Sequence, residues 1–293
     1  MNQRNSRLLP GCFCLLLAAC GSAPEKISLR HEAAIRLNAR AEAAFRQQDY
    51  AQALDDYAQA LRIDQSIENA AGIAISRYNL ARVLRETART DQAHLQLDAL
   101  FAQPALPYPA ATLAAAAALQ GLLYLESNEL SRASLWLDKG AAHCRNTCPV
   151  AGSLLLLRAQ LALRNDRLDE AGKLADDAIA ALSPGAQPME LANALRLSGD
   201  IGLAKRDTAK AIASFEQALA IDQKLGLPAR IRLDLLRLGN AHARTGAVNN
   251  AQDFYLRALT VSEAMGNAKE ADEVRAFLKN PGDTPGAKTP ARQ

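Results

Sequence analysis

The chain has 293 residues, of which 4% are aromatic and 22% are charged, and its formal net charge at pH 7 is +3. Nucleic-acid-binding domains usually carry a concentrated basic surplus. Here no block of Lys and Arg occurs, so nucleic acid is not an expected partner. Alanine and leucine, both strong helix formers, dominate the composition and predict an all-α fold.

The first segment reads as a secretory leader. Residues 1–7 contain Arg4, Arg7 and no acidic residue, and a mostly apolar run of 12 residues follows at 8–19. A short basic stretch before a short apolar one is typical of a secretory signal. The run is shorter than the roughly 20 residues that a membrane-spanning helix needs. Without Arg4 and Arg7 the chain has 32 basic and 31 acidic side chains, which is close to neutral.

The apolar run ends in Leu17, Ala18, Ala19, Cys20 and Gly21. This sequence resembles the lipobox of bacterial lipoproteins, in which small residues precede an obligatory cysteine. The resemblance implies a signal peptide at 1–19, a lipid on Cys20, and a lipidated N-terminus and linker at 20–27. An ordinary cleaved signal is the alternative. Gly21, rather than Asp, after the cysteine implies the outer membrane, with the protein facing the periplasm.

The body of the chain repeats one pattern six times. A small residue is followed twelve positions later by alanine, and side chains four and seven positions further on complete the pattern. The alanines recur at spacings of 40, 40, 38, 40 and 40 residues. Small residues let two helices approach closely, and positions four and seven apart share one helical face. The six starting pairs are Ala41 with Ala53, Ala81 with Ala93, Gly121 with Ala133, Ala159 with Ala171, Gly199 with Ala211, and Gly239 with Ala251.

This pattern, clearest at residues 49–60 and 210–219, resembles the tetratricopeptide repeat. The resemblance implies a right-handed α-solenoid of about six helix pairs over residues 28–279. The standard repeat has 34 residues, so the period of about 40 implies a longer second helix and exit loop. Residues 268–279 are predicted to form a capping helix, because arrays cover their exposed apolar ends. Residues 280–293, rich in Pro and Gly, are predicted to be a disordered tail.

Helix breaks are predicted at 103–109, 146–149 and 183–185, because proline lacks the N–H that a helix interior requires. In the tetratricopeptide family the first helices line a concave groove that holds a peptide or a partner's helix. The family register places three positions of each first helix in that groove. The predicted partner-binding residues among them are Tyr78, Arg82, Arg85, Leu122, Leu125, Leu156, Gln160, Arg196 and Asn240. An alternative interpretation of the leucines is that they are ordinary core residues.

Five cysteines are present. Cys12 and Cys14 fall in the leader, which leaves Cys144 and Cys148 beside Cys20. In an oxidising compartment an even pair suggests a disulfide. Free thiols are an alternative, and so is a metal site with His143, although that site lacks a fourth ligand nearby. No phosphate-binding loop, nucleophile elbow or His-Glu-x-x-His motif occurs, so neither an enzyme activity nor a cofactor or metal is predicted.

The two resemblances together imply a lipid-anchored scaffold that binds another envelope protein in its groove. Lipoproteins of this build serve type IV pili, the assembly of outer-membrane barrels, or the regulation of peptidoglycan enzymes. Two further hypotheses remain open. One is a peptidoglycan-related binding or enzymatic role with carboxylates and aromatic residues lining the groove, and the other is a passive spacer. The oligomeric state is left open.

Overall fold

A computed structural model describes residues 28–102, 106–144, 148–182 and 187–279. Within these ranges the chain forms thirteen α-helices and no strand, as the composition predicts. The predicted signal peptide, Cys20, the linker up to residue 27 and the tail at 280–293 lie outside the described residues.

The helices form six pairs, which are the six repeats, and one final helix. The members of each pair pack against each other along their length, and a short turn joins them. The pairs are α1 (Leu29–Arg46) with α2 (Tyr50–Ser66), α3 (Ala70–Glu86) with α4 (Thr90–Asp98), α5 (Ala110–Glu126) with α6 (Leu130–His143), α7 (Ala151–Arg164) with α8 (Leu168–Ala181), α9 (Pro188–Ala204) with α10 (Thr208–Leu225), and α11 (Pro228–Arg244) with α12 (Val248–Ala264), followed by α13 (Ala268–Lys279).

The turn inside each pair uses one residue in the left-handed backbone region. Gly246 adopts this conformation in the sixth pair, with φ of 75°. A left-handed residue after a helix lets backbone N–H groups bond to the last carbonyls. Non-glycine residues adopt it in the other five pairs, although L side chains disfavour it. These residues are Gln48, Ala88, Asn128, Asp166 and Arg206.

The repeated small residues lie where the two helices of a pair touch. Ala41 and Ala53 are fully buried, as are their counterparts in the other repeats. A Cβ atom placed on Gly199 would lie 2.3 Å from the Phe215 ring of the second helix, so this contact requires glycine. The residue four positions after each alanine is also fully buried. These residues are Tyr57, Leu97, Leu137, Ala175, Phe215 and Tyr255, and the predicted register is confirmed.

The 40-residue period is kept in two ways. In the first, fifth and sixth repeats the second helix has 17 or 18 residues. In the second repeat α4 has only 9 residues, and the remainder of the period lies in the junction before Ala110. α13 packs on α12 through Ala271 and Val274, which are buried, so it caps the array as predicted.

The array curves with its first helices on the inside. α1 contacts α3, and contacts of the same kind join α3 to α5, α5 to α7 and α7 to α9. Successive second helices lack comparable contacts in the part of the chain that the structure describes. Closer spacing on one side of a solenoid makes that side concave, so the first helices line a groove.

Candidate functional site

Four positions on each first helix face the concave side. They are counted from the repeated small residue of that helix, which is Ala81 in α3. Two of them lie six and three residues before it, and two lie one and four residues after it. On α3 these are Ile75, Tyr78, Arg82 and Arg85. Spacings of three, four and seven residues keep side chains on one side of a helix. Each first helix therefore contributes one ridge to the concave face.

Charged side chains on the concave face pair between neighbouring repeats. Arg82 of α3 donates to Glu42 of α1 at 3.1 Å. Arg85 donates to Glu126 of α5 from both Nε and Nη2, at distances down to 2.5 Å. Near the other end, Arg237 of α11 lies 3.2 Å from Asp200 of α9. The predicted groove cations Arg82 and Arg85 are thus already neutralised within the protein.

Arg82 also organises the aromatic side chains around it. Its guanidinium lies 4.6 Å from the centre of the Phe45 ring and 5.9 Å from that of Tyr78. Burial raises the pKa of Tyr78, the Arg82 cation opposes that rise, and the Glu190 carboxylate adds to it. The Tyr78 hydroxyl is therefore neutral at physiological pH.

Six of the nine predicted groove residues are half-buried on the concave face and reach solvent. They are Tyr78, Arg82, Arg85, Leu122, Gln160 and Asn240. The Oδ1 atom of Asn240 accepts a hydrogen bond from the hydroxyl of Tyr255, in α12, at 2.7 Å. Arg82, Arg85 and Asn240 therefore also help to hold the array together.

The prediction is wrong for Leu125, Leu156 and Arg196. Leu125 is 1% exposed and belongs to a core cluster with Leu137 and Leu161. Leu156 is 6% exposed and packs in the cluster that includes Leu195 of α9. The following repeat covers both leucines, so the core interpretation applies to them. Arg196 is 6% exposed and is enclosed by two carboxylates.

Exposed apolar residues that the sequence prediction missed lie at the first of the four positions. Ile35 and Ile75 are 49% and 46% exposed, and Leu233 in the sixth repeat is 39% exposed. All three stand six residues before the small residue of their helix. This shared spacing could have identified them from the sequence. The predicted groove, however, included only the positions three residues before the small residue and one and four residues after it.

The predicted cysteine pair lies between the third and fourth repeats. The sulfur atoms of Cys144 and Cys148 are bonded in the structure, with their Cα atoms 5.1 Å apart. The bridge ties the end of α6 to the segment that leads into α7.

Among the described residues no group of three or more His, Cys, Asp or Glu is arranged to hold a metal ion. None of the described helices is long and apolar enough to span a bilayer.

Models of the tetratricopeptide repeat match residues 31–100 and residues 192–225. The first match spans most of α1 to α4, and the second spans most of α9 and α10. Both describe repeats, and neither indicates a catalytic family. No curated protein matches the chain by sequence.

Several solved structures share the fold. A signal transduction ATPase with numerous domains from Pyrococcus horikoshii, which has a tetratricopeptide repeat sensor, aligns with a TM-score of 0.67 and 15% identity. The alignment covers 86% of this chain but only 38% of that protein. PilW, a widely conserved type IV pilus biogenesis factor, aligns with a TM-score of 0.61 and 15% identity, over 83% of this chain and 98% of PilW.

Aspartyl phosphate phosphatase F from Bacillus subtilis aligns with a TM-score of 0.60 and 14% identity, over 87% of this chain and 70% of the phosphatase. Identities this low show a shared fold and nothing about activity. Together with the repeat matches and the helix pairs, they establish the architecture. The chain carries tetratricopeptide repeats arranged as an all-helical α-solenoid.

Proposed function

We propose that the protein is a membrane-anchored scaffold of the cell envelope that binds a partner peptide or helix on its concave face. One observation carries the proposal. The charged groups of the concave face neutralise each other, whereas Ile35, Ile75 and Leu233 remain exposed among them. Such a surface offers a partner little net charge and a set of apolar contacts.

Apolar side chains on a concave surface favour binding because water leaves both partners when they meet. Each square ångström of apolar surface that is buried contributes about 25 cal/mol. An amphipathic helix can lay its apolar face into such a groove. The arrangement of the first helices is compatible with a bound helix. Ile35 of α1 and Ile75 of α3 occupy the same repeat position on neighbouring first helices, so one apolar helix face could contact both.

Anchoring at the outer membrane is the second part of the proposal, and it rests on the lipobox-like sequence around Cys20. Residues 21–27 form a linker that reaches at most about 25 Å when fully extended. The body would then lie close to the bilayer, facing the periplasm. A lipid held at Cys20 would place the groove near partners that assemble at the membrane.

Assembly or maintenance of an envelope machine, of the type IV pilus or secretion kind, is the proposed setting. The fold shared with PilW across 98% of that protein supports this choice. It supports the choice only by shape, because the two sequences are 15% identical. The partner is therefore expected among envelope proteins.

Affinity capture from detergent-solubilised envelopes tests the proposal. The bait is the intact protein, a groove variant with Ile35→Glu and Ile75→Glu, or a control variant with Leu95→Glu. Leu95 of α4 is 67% exposed on a second helix, so its variant adds a charge away from the groove. Circular dichroism must show the same helix content in all three proteins.

A partner that the intact protein and the Leu95 variant retain, and that the groove variant loses, supports the scaffold. A partner that the groove variant retains contradicts the placement of the site. Peptidoglycan fragments captured in place of a protein would favour the peptidoglycan-related hypothesis.

A further inference from the structure

A buried charged cluster lies between the fifth and sixth repeats. Arg196 of α9, Asp222 at the end of α10 and Asp234 of α11 meet there, and both carboxylates have no solvent exposure. The cluster therefore joins three helices. One guanidinium faces two carboxylates, so with both carboxylates ionised it holds a net charge of about −1, which is unfavourable in a dry interior.

The hydrogen-bond geometry brings the two carboxylates side by side. Arg196 donates from Nε to Asp234 Oδ1 at 2.6 Å and from Nη2 to Asp222 Oδ2. These two N–H groups lie on one edge of the guanidinium, where a single carboxylate usually binds with both oxygens. Here two carboxylates share that edge. The remaining oxygens, Asp222 Oδ1 and Asp234 Oδ2, are buried and have no hydrogen-bond partner.

Neighbouring polar groups on the three helices are committed elsewhere. Arg196 Nη1 donates to Asn193, which also accepts a hydrogen bond from Arg230. Other charged pairs formed by these helices are Arg232 with Glu270 of α13, Arg237 with Asp200 of α9, and Lys210 of α10 with Asp176 of α8. The α11 histidine, His242, stacks on Phe254 of α12. Arg196 is thus the cation that faces both carboxylates.

We propose that Asp222 and Asp234 share one proton, so that the joint between the fifth and sixth repeats is a proton-binding switch. The proton comes from solvent and no covalent bond changes. A protonated carboxyl supplies an O–H donor, and the neighbouring carboxylate accepts it. One proton therefore brings the net charge of the three side chains to about zero. It also gives a hydrogen-bond partner to a carboxylate oxygen that otherwise has none.

The contact between the first and second repeats can be compared with this one, residue by residue, at the same repeat positions. Its side chains are arranged differently. Asp64 stands where Asp222 does, eleven residues after the alanine of the second helix. Asn38 and Ser76 take the places of Arg196 and Asp234, and Ser76 donates to Asn38 at 3.3 Å. Only one carboxylate is present among these three positions, and Asn69 donates to it at 2.7 Å. The paired carboxylates between the fifth and sixth repeats therefore have no counterpart at this joint.

The direction of the pH effect follows from burial. Burial raises the pKa of Asp234 to about 6, with the nearby Asp222 carboxylate adding to the rise and Arg196 opposing it. An unfolded aspartate has a pKa near 4, so the folded protein binds this proton more tightly. The resulting stability is gained as pH falls through about 6 and is lost as pH rises through that value. Below about 4 both states are protonated and the gain is constant.

The joint also touches the groove. Leu233, exposed on the concave face, is the neighbour of Asp234 along α11. Loss of the proton restores the unbalanced charge beneath that residue and loosens the contact of α11 with α9 and α10. The orientation of the sixth repeat, and with it one end of the concave face, therefore responds to pH. This inference rests on the buried cluster and holds whatever the groove binds.

The direct test is an NMR titration of aspartate side-chain carboxyl carbons, assigned with Asp222→Asn and Asp234→Asn variants. The expected result is a coupled titration of the wild-type pair, with one apparent pKa clearly above the usual aspartate range. Titration of both carboxyls below pH 4 would overturn the proposal. The signals are also assigned through the backbone resonances of the wild type, so a variant that folds poorly does not leave the question open. This assignment separates the pair from Asp64, whose pKa burial also raises.

Thermal unfolding at pH 5 and pH 7.5 provides the second readout. The wild type should gain at least roughly 3 °C relative to Asp234→Asn on going from pH 7.5 to pH 5, because the amide resembles the protonated state at both values. Asp253→Asn, at an exposed position of α12, is the matched control and should track the wild type. A constant difference between wild type and Asp234→Asn would contradict the proposed switch.

Discussion

Glu42 and Arg82 hold the same position in neighbouring repeats, forty residues apart, and the Arg82 guanidinium donates to the Glu42 carboxylate at 3.1 Å. The same carboxylate accepts a hydrogen bond from the hydroxyl of Tyr57 at 2.8 Å. Glu42 thereby links α1 to α2 within its own repeat and to α3 of the next. A residue at a groove position is also a structural tie between repeats.

Replacement of Glu42 by alanine should destabilise the protein by about 1–3 kcal/mol, because the hydroxyl of the buried Tyr57 loses its acceptor. The Arg82 guanidinium loses one acceptor and keeps the other, Asn79. Urea unfolding followed by circular dichroism measures the loss. Glu86→Ala is the control, since Glu86 pairs with Arg85 at an exposed site and its loss should cost less than about 1 kcal/mol. Equal losses for the two variants would show that Glu42 is an ordinary surface charge.

Gly199→Ala should destabilise the protein by about 1–3 kcal/mol, because the new methyl group would overlap the Phe215 ring. Its Cβ would lie 2.3 Å from the nearest ring atom. The opposite result is expected for Gly172→Ala, because the nearest atom that the new Cβ would meet outside its own helix is on Ile201, 3.9 Å away. There alanine should stabilise helix α8 by up to about 1 kcal/mol. Thermal unfolding of both variants checks the contrast, and a stable Gly199→Ala protein would disprove the close approach of α9 and α10.

Removal of the bridge between Cys144 and Cys148 should have a modest effect. The two residues are four apart in sequence, and so short a loop restricts the unfolded chain by only about 2 kcal/mol. A double variant with both cysteines changed to serine should lose no more than this in urea unfolding. The control is the loss of stability of the wild type after its disulfide has been reduced, measured by the same urea unfolding. A loss of helix content across several repeats would mean that the bridge organises far more than its own junction.

Lipid attachment at Cys20 predicts that Cys20→Ala abolishes incorporation of labelled palmitate and moves the protein out of the membrane fraction. Two or three acyl chains anchor a protein durably, since each buried methylene contributes about 0.8 kcal/mol. A variant with Cys12→Ala and Cys14→Ala is the control, because both residues precede the predicted cleavage site. Undiminished labelling of Cys20→Ala would rule out this residue as the lipid site.

The helix pairs were predictable because their contacts depend on residue size at fixed spacing. Ala53 and Gly199 cannot be larger without separating two helices, so the requirement is visible in sequence. The left-handed turn residues were less predictable, since Ala88 adopts a φ of 56° with no glycine or asparagine to indicate it. There the packing of the pair imposes a conformation that local preference disfavours.

The site was predictable only in part, because exposure depends on what the next repeat covers. Leu125 and Leu156 have the helical phase expected of groove residues, but neighbouring repeats bury them. Arg196 has the register of a groove residue in the tetratricopeptide family, and arginine is rarely buried. Its burial depends on Asp222 and Asp234, which lie 26 and 38 residues away in sequence. The recurrence of aspartate at the positions of Asp64 and Asp222 was the one signal of buried charge that the sequence offered.

The most direct test of the concave binding face is site-specific photo-crosslinking in intact cells. A photoreactive amino acid is placed at Ile75, 46% exposed on the concave face, or at Leu95, 67% exposed on the second helix of the same repeat. We predict that position 75 forms a discrete crosslinked product with an envelope protein and that position 95 does not. Products from position 95 alone, or the same product from both positions, would contradict binding on the concave face.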